Sequence, residues 1–212
     1  MEVVSLQEQA YDAIRKMIIY GELAPGRKIS EKELEERLHI GRTPIRESLL
    51  QLRKQKLIYA IPQSGTYVSK IDLQSADNAR FVREQLERKI FIETTAKIDK
   101  KGKKILEAIL EEQGNAALRQ DREAFFHFDN VFHQTCFEIC GRLEIWHWLD
   151  SNNTHLDRFR WLRLTVSDLK WEGIMDQHYA MLLAIQERNT DEIDFLLTLH
   201  LHMMLEEKQA VI

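Results

Sequence analysis

The sequence predicts a mostly α-helical protein in two parts: a small N-terminal unit of helices with one β-hairpin, then an all-helical bundle. All three prolines of the 212-residue chain lie within the first 70 residues, so the remainder can form long uninterrupted helices. Apolar residues recur at helical spacing in most of the chain, but the period changes after Leu57. The first 70 residues carry 12 Lys or Arg against 9 Asp or Glu (+3), and the rest carries 18 against 25 (−7). A basic head on an acidic body is compatible with nucleic-acid binding by the head.

Three helices are predicted in the first part. The apolar stripe of the first consists of Leu6, Ala10, Ile14, Met17 and Ile18. Ser30 followed by Glu33 forms a capping box, which predicts the start of a second, short helix. Thr43 can cap a third helix with Pro44 as its first residue, because proline lacks the N–H that the first turn leaves unpaired.

Two short strands follow the third helix. They cover residues 57–61 and 66–70 and are joined by Pro62-Gln63-Ser64-Gly65. Helix, short helix, turn, helix and hairpin together make a winged helix-turn-helix. The sequence therefore predicts a compact DNA-binding domain over residues 1–70.

Several polar residues of this domain are placed to contact DNA. In a winged helix-turn-helix the second motif helix enters the major groove with its N-terminal end. Arg42 and Arg46 lie at that end, and an arginine fork can bind two acceptors of a guanine. Thr43 at the same end suits a phosphate. Lys32 in the preceding helix and Ser64-Gly65 at the wing tip are further positions that can reach the DNA backbone.

The two arginines also have a simpler interpretation. Arg42 and Arg46 would then form a solvated face, paired with Glu47 or Glu36. For two surface arginines alone that interpretation is the more common one. Their position at the start of the second motif helix, with a wing after it, favours DNA contact.

Three stretches of the first part resemble the DNA-binding head of GntR-family bacterial transcription regulators. They are Ala24-Pro25-Gly26-Arg27-Lys28-Ile29-Ser30-Glu31-Lys32-Glu33-Leu34, Gly41-Arg42-Thr43-Pro44-Ile45-Arg46-Glu47 and Ser64-Gly65-Thr66-Tyr67-Val68. The resemblance implies binding to double-stranded DNA. Gly41 stands where the family usually has serine, and Lys56 stands where it usually has a helix-ending glycine. A lysine there has to adopt a positive φ, at about 1 kcal/mol.

The second part is predicted as a helical domain over residues 76–212, after a short linker at 71–75. Helix breakers divide it into about six helices, roughly 75–98, 103–119, 121–140, 142–166, 171–188 and 190–208.

The placement of histidines is the chemical feature of this domain. Asp129 and His133 are four residues apart and share one helix face. His178 lies in line with apolar residues of a later helix, and His200 lies in an apolar stretch of the last one. One carboxylate and three imidazoles that face the same core would hold a divalent cation. Periodicity leaves other interpretations open: each histidine can be an ordinary core residue, and His202 or Cys136 can compete as ligands.

Four motifs of the body resemble the all-helical, FCD-type effector domain of the FadR-like branch of GntR regulators. They are Arg83-Glu84-Gln85-Leu86-Glu87 with Ala96, Asp129-Asn130-Val131-Phe132-His133, Gln177-His178 with Ala184-Ile185, and His200-Leu201. The resemblance implies that Asp129, His133, His178 and His200 bind a metal of the zinc, nickel or manganese class. It also implies that the metal, with nearby arginines, receives the carboxylate of a small organic acid.

The same resemblance points to the arginines that would contact the effector. Arg83 maps to an inward-facing arginine of the family, although it can instead pair with Glu87 on the surface. Arg160 is the second candidate, in competition with Arg158.

We therefore expect a cytoplasmic, homodimeric transcription regulator that binds a palindromic operator and responds to a small carboxylate. No window approaches the run of about 18 apolar residues that a membrane helix needs, so no membrane partner is expected. A metal-dependent hydrolase with an ancillary head is the rival from another class. A regulator with a purely structural metal is the third possibility.

Overall fold

The computed structural model describes residues 4–166 and 170–203. The described residues form two compact units. The first is drawn from the chain up to Ala76 together with Thr154–Phe159, and the second from Asp77–Asn153 together with the chain from Arg160 onward.

The first unit has the expected winged helix-turn-helix order. Its elements are α1 (Leu6–Ile19), β1 (Lys28–Ile29), α2 (Glu31–Leu38), α3 (Arg42–Lys54), β2 (Ile58–Ile61) and β3 (Gly65–Val68). The three strands are antiparallel in the order β1-β3-β2. The predicted hairpin is confirmed, whereas β1 was not predicted because two residues are too short for a detectable period.

One apolar core packs between these elements and stabilises the unit. Ala10, Ile14, Ile45 and Leu52 have no exposed surface, and they belong to a cluster that includes residues of all three helices and all three strands. Burial of an aliphatic side chain contributes about 1.5–3 kcal/mol relative to exposure. The apolar stripes read from the sequence are therefore what holds α3 in place.

Two details of the helix starts differ from the expectation. The Ser30 hydroxyl accepts the Glu33 N–H, which is half of a capping box, and the Glu33 carboxylate pairs instead with Arg27 at 2.5 Å. Helix α3 begins at Arg42 with Gly41 as its N-cap, so the prediction that Thr43 caps the helix and that Pro44 opens it is wrong. Pro44 remains within the first turn, where the missing N–H costs nothing.

The second unit is built from helices. They are α4 (Leu73–Lys97), α5 (Lys100–Leu118), α6 (Arg122–Ile139), α7 (Leu143–Asn152), the part of α8 (Thr154–Arg163) from Arg160 onward, α9 (Trp171–Glu187) and α10 (Thr190–Met203). The helix predicted at 142–166 is divided at Asn153 into α7 and α8, which corrects the expected count. The last helix was predicted to reach 208, and residues 204–208 lie outside the described part of the chain.

Candidate DNA-reading surface and metal centre

The predicted recognition arginines lie together at the start of α3. The side chains of Arg42 and Arg46 are 63% and 54% exposed. Both donate from Nε to the same oxygen of Glu31, at 3.3 and 2.9 Å respectively. Their carboxylate partner is thus Glu31 of α2, and neither of the two glutamates considered from the sequence. Glu31 holds the two side chains side by side at the helix end.

The other predicted DNA contacts lie on α2, at the start of α3 and in the wing of the same unit. Lys32 is 85% exposed and lies 3.7 Å from Glu36, and Thr43 is exposed beside Arg42. The Ser64 and Tyr67 hydroxyls are 2.6 Å apart in the wing. Gly65 has a φ of +143°, and a Cβ there would lie 2.6 Å from Cε of Lys28, so glycine is required for the wing to turn at this point.

In the second unit, one aspartate and three histidines converge from three helices. Asp129 and His133 lie on α6, His178 on α9 and His200 on α10, and all four side chains are buried. One potential ligand atom from each residue lies within 4.8 Å of all the others. Oδ1 of Asp129 is 3.7 Å from Nε2 of His178. These are the four residues that the resemblance assigned to a metal.

Each imidazole has a side-chain oxygen within 2.8 Å of Nδ1, and those of His178 and His200 form hydrogen bonds. The partners are Glu87 Oε2 for His133 at 2.8 Å, Gln113 Oε1 for His178 at 2.8 Å and Gln177 Oε1 for His200 at 2.7 Å. The Nε2 atoms of all three rings are buried and have no hydrogen-bond partner within the described structure. An orphaned buried nitrogen is costly, and three of them at one point fit a metal ion.

The electrostatics keep the ring nitrogens available as ligands. Burial lowers the pKa of His178 to about 3 and lowers the pKa of His200 well below its usual value. Both rings are therefore neutral near pH 7, and neutral imidazole is the form that coordinates metals. Burial alone would raise the pKa of the Asp129 carboxyl, but the Arg160 guanidinium lowers it well below its usual range. The donor set therefore includes one carboxylate and the neutral imidazoles of His178 and His200.

The arginines expected near the effector take different positions. Arg160 pairs with Oδ2 of Asp129, and its Nη1 donates to Asn130 Oδ1 at 2.9 Å. Arg158 instead donates to the Ser69 carbonyl at 2.8 Å, within the first unit. The Nε of Arg83 donates to Oε1 of Glu87 at 2.5 Å, with both side chains fully buried. The pairing with Glu87 was considered from the sequence, but as a surface contact.

The two competing ligands do not join the cluster. His202 is exposed. The Cys136 thiol is buried, which raises its pKa well above the usual value, so the thiolate form that binds metals is disfavoured. Three residues near the site were missed by sequence reasoning: Glu87, Gln113 and Gln177. Glu87 and Gln177 both lie in motifs quoted above, Glu87 as a possible partner of Arg83, but neither position indicated that the side chain reaches a histidine of another helix.

A winged helix-turn-helix with an arginine pair at the start of α3, together with a helical unit that holds a buried cluster of potential metal ligands, is typical of DNA-binding transcription regulators. Among the helices in residues 4–166 and 170–203, we found none with the length and apolar character needed to cross a membrane.

Comparison with known proteins specifies the family. Residues 6–68 match the bacterial regulatory proteins of the gntR family, and residues 79–203 match the FCD domain. The chain belongs to the GntR family and carries an FCD domain.

Individual relatives agree with this assignment. The chain is 29% identical over 206 residues to the HTH-type transcriptional repressor RspR of Escherichia coli, covering 97% of this chain and 90% of the relative. It is 36% identical over 154 residues to an uncharacterized HTH-type transcriptional regulator of Streptomyces ambofaciens, covering 73% of this chain and 64% of the relative. The solved structure of E. coli McbR/YncC has the same fold, with a TM-score of 0.82 at 18% identity and 95% coverage of both chains.

Proposed function

We propose that this regulator binds its operator as a homodimer and that a small carboxylate, bound at a divalent metal in the FCD domain, controls the binding. The observation that carries the proposal is that one potential ligand atom from each of Asp129 and the three histidines lies within 4.8 Å of the others, while the Nε2 atoms of the three rings are buried without a hydrogen-bond partner in the described structure. The similarity to the repressor RspR supports a repressing role.

The donor set supports a metal of the zinc, nickel or manganese class. Bonds from zinc to imidazole nitrogen or carboxylate oxygen are about 2.0–2.2 Å long, so donors on opposite sides of an ion lie about 4.4 Å apart. Ligand atoms that lie within 4.8 Å of one another can reach one ion with shifts of a few tenths of an ångström. Imidazoles suit zinc and nickel, and a site of three imidazoles and one carboxylate disfavours calcium, which prefers six to eight oxygens.

The charges around the site support an anionic effector. A divalent ion with one carboxylate ligand and three neutral imidazoles keeps a net positive charge, and Arg160 adds another beside Asp129. A carboxylate can accept two parallel hydrogen bonds from a guanidinium, which is the role proposed for Arg160. The buried guanidinium of Arg83 contributes further positive charge to this region and is the second proposed effector contact.

The head supports a base-reading role for α3. We assign base contacts to Arg42 and Arg46 and backbone contacts to Thr43, Lys32 and the wing tip at Ser64-Gly65. Two heads related by a two-fold axis would read the two half-sites of a palindrome. A carboxylate that binds one of two dimer arrangements more tightly would shift the population and thereby the operator affinity.

Elemental analysis and native mass spectrometry of the purified protein test the metal directly. We expect a single divalent ion per chain, which is lost on chelation and regained on addition of zinc, nickel or manganese. An operator fragment is first selected from random-sequence duplexes. Small carboxylic acids are then screened for their ability to release this DNA from the metal-loaded protein. A protein that takes up none of these ions, at neutral pH, would refute the metal part of the proposal. Metal-dependent turnover of simple esters or phosphates would favour the hydrolase instead.

A further inference from the structure

The side chains that lie next to the Nδ1 atoms of the three histidines differ in charge. Two of the three Nδ1 partners are neutral amides, Gln113 and Gln177, whereas the third is the carboxylate of Glu87. Glu87 has no exposed surface, and a buried carboxylate is retained only where its charge is compensated.

Glu87 uses its two oxygens for two different partners. Oε1 accepts from Nε of Arg83, and Oε2 lies 2.8 Å from Nδ1 of His133. The Arg83 guanidinium on Oε1 supplies the counter-charge for the buried carboxylate. A ring that gives the Nε2 lone pair to a metal carries its hydrogen on Nδ1, and the Glu87 oxygen 2.8 Å away is the acceptor placed for that hydrogen.

An outer carboxylate changes the ring as a ligand. A carboxylate that accepts the Nδ1 hydrogen orients the ring and makes Nε2 more basic, whereas a neutral amide oxygen orients the ring with a weaker effect on basicity. If Glu87 served only to neutralise Arg83, its second oxygen would not need to face a histidine.

We infer that Glu87 is a positioning residue which makes His133 the strongest imidazole donor of the cluster, and that Gln113 and Gln177 hold the other two rings as weaker donors. The inference rests on the proposed metal site and specifies how the chain tunes it. Arg83 has a part in this arrangement, because its charge keeps the Glu87 carboxylate ionised.

Glu87→Gln tests the inference with almost no change in shape. We expect its affinity for zinc, measured by competition with a chromophoric chelator at neutral pH, to fall by about 10- to 100-fold, as for other outer-shell changes. The absorption bands of the cobalt(II)-loaded protein should shift as well, since the field of His133 weakens. Neither change is expected from a residue that only supports the fold.

Glu84→Gln is the matched control. Glu84 lies on the same helix and pairs with Arg80 at 2.7 Å in the same i,i+4 arrangement, but it forms no hydrogen bond or ion pair with the clustered histidines in the described structure. Its zinc affinity and cobalt spectrum should equal those of the wild type.

A second variant decides the matter if Glu87→Gln fails to fold, because that change leaves Arg83 buried without its counter-charge. Glu87→Asp keeps the charge, but its shorter side chain withdraws the oxygen from Nδ1 of His133, so zinc affinity should again fall. Gln177 is only partly buried, and Gln177→Met, which removes the acceptor of His200, should lower zinc affinity less than a change at Glu87. A folded Glu87 variant with unchanged zinc affinity and cobalt spectrum, or a larger loss in Gln177→Met, would overturn the inference. If the wild type itself binds neither ion, the proposed metal site fails, and the two failures are thus distinguishable.

Discussion

Replacing Glu31 with glutamine should strengthen binding to DNA of any sequence. The carboxylate of Glu31 pairs with Arg42 and Arg46 through one oxygen, and a phosphate or base edge has to compete with it for these arginines. Exposed ion pairs contribute about 0.2–1 kcal/mol each. Without the two ion pairs, DNA binding no longer has to break interactions of about 0.4–2 kcal/mol in total, which corresponds to a roughly 2- to 30-fold gain in affinity.

The assay is a fluorescence-anisotropy titration of a non-operator duplex and a selected operator duplex at several salt concentrations. Removing one negative charge from the reading surface should also make the affinity more salt-sensitive, because released counterions set that slope. Glu35→Gln is the matched control, because it makes the same charge change on the same helix and Glu35 forms no ion pair with either arginine in the described structure.

Glu31 also orients the two arginines, and this effect is lost in Glu31→Gln. The loss should reduce the gain in affinity only on the operator, where the orientation of the arginines towards the bases matters. The gain on non-operator DNA should therefore exceed the gain on the operator, and the ratio of the two affinities should fall. Unchanged or weaker binding to both duplexes in Glu31→Gln would refute the reasoning that DNA competes with this carboxylate.

Three further results are expected. Arg42→Ala and Arg46→Ala should each weaken operator binding by about 1–3 kcal/mol and relax the preference at one base pair. Lys32→Ala should instead weaken binding to all duplexes alike. Titrations with operator variants distinguish base-specific from uniform loss of affinity. In the metal-free protein, the unpaired protonation of His178 should cost about 2 kcal/mol of folding stability by pH 5. The unfolded chain protonates this histidine below about pH 6.5, whereas the folded chain does so only near pH 3. Denaturant titrations at pH 7.5 and pH 5, compared with those of His178→Gln, measure this loss of stability. A fragment of residues 71–212 should sediment as a dimer and residues 1–70 as a monomer, because the large helical domain has more apolar surface to share.

Local patterns in the sequence were sufficient for most of the fold. The apolar stripes and the hairpin signal give α1 to α3 and the wing, and Lys56 has the expected positive φ of 61°. The run Ser151-Asn152-Asn153-Thr154 is a cluster of loop-forming residues that signals the break at Asn153, and the single helix expected over 142–166 overlooked it. Helix α3 starts before Thr43 because Gly41 takes the extended N-cap conformation itself, with a φ of −66° and a ψ of 165°.

In the candidate site, periodicity predicts only the contacts between residues that are close in the sequence. The i,i+4 spacing places Asp129 and His133 on one face, and that pairing needs no tertiary information. The contacts of Glu87 with His133 and of Gln113 with His178 join different helices, and no period in the sequence specifies which residues meet across a bundle. The resemblance to a family pointed to the four residues that the structure brings together as candidate ligands, but it did not indicate which oxygens lie beside their rings.

The metal content of His200→Ala and His202→Ala, measured side by side by elemental analysis, tests the central claim most directly. Two residues along a helix are about 200° apart around its axis, and the structure buries His200 in the cluster while His202 is exposed. The account predicts that His200→Ala loses the metal and its response to carboxylates but keeps DNA binding, whereas His202→Ala retains all three. Metal retained in His200→Ala, or lost only from His202→Ala, would contradict it.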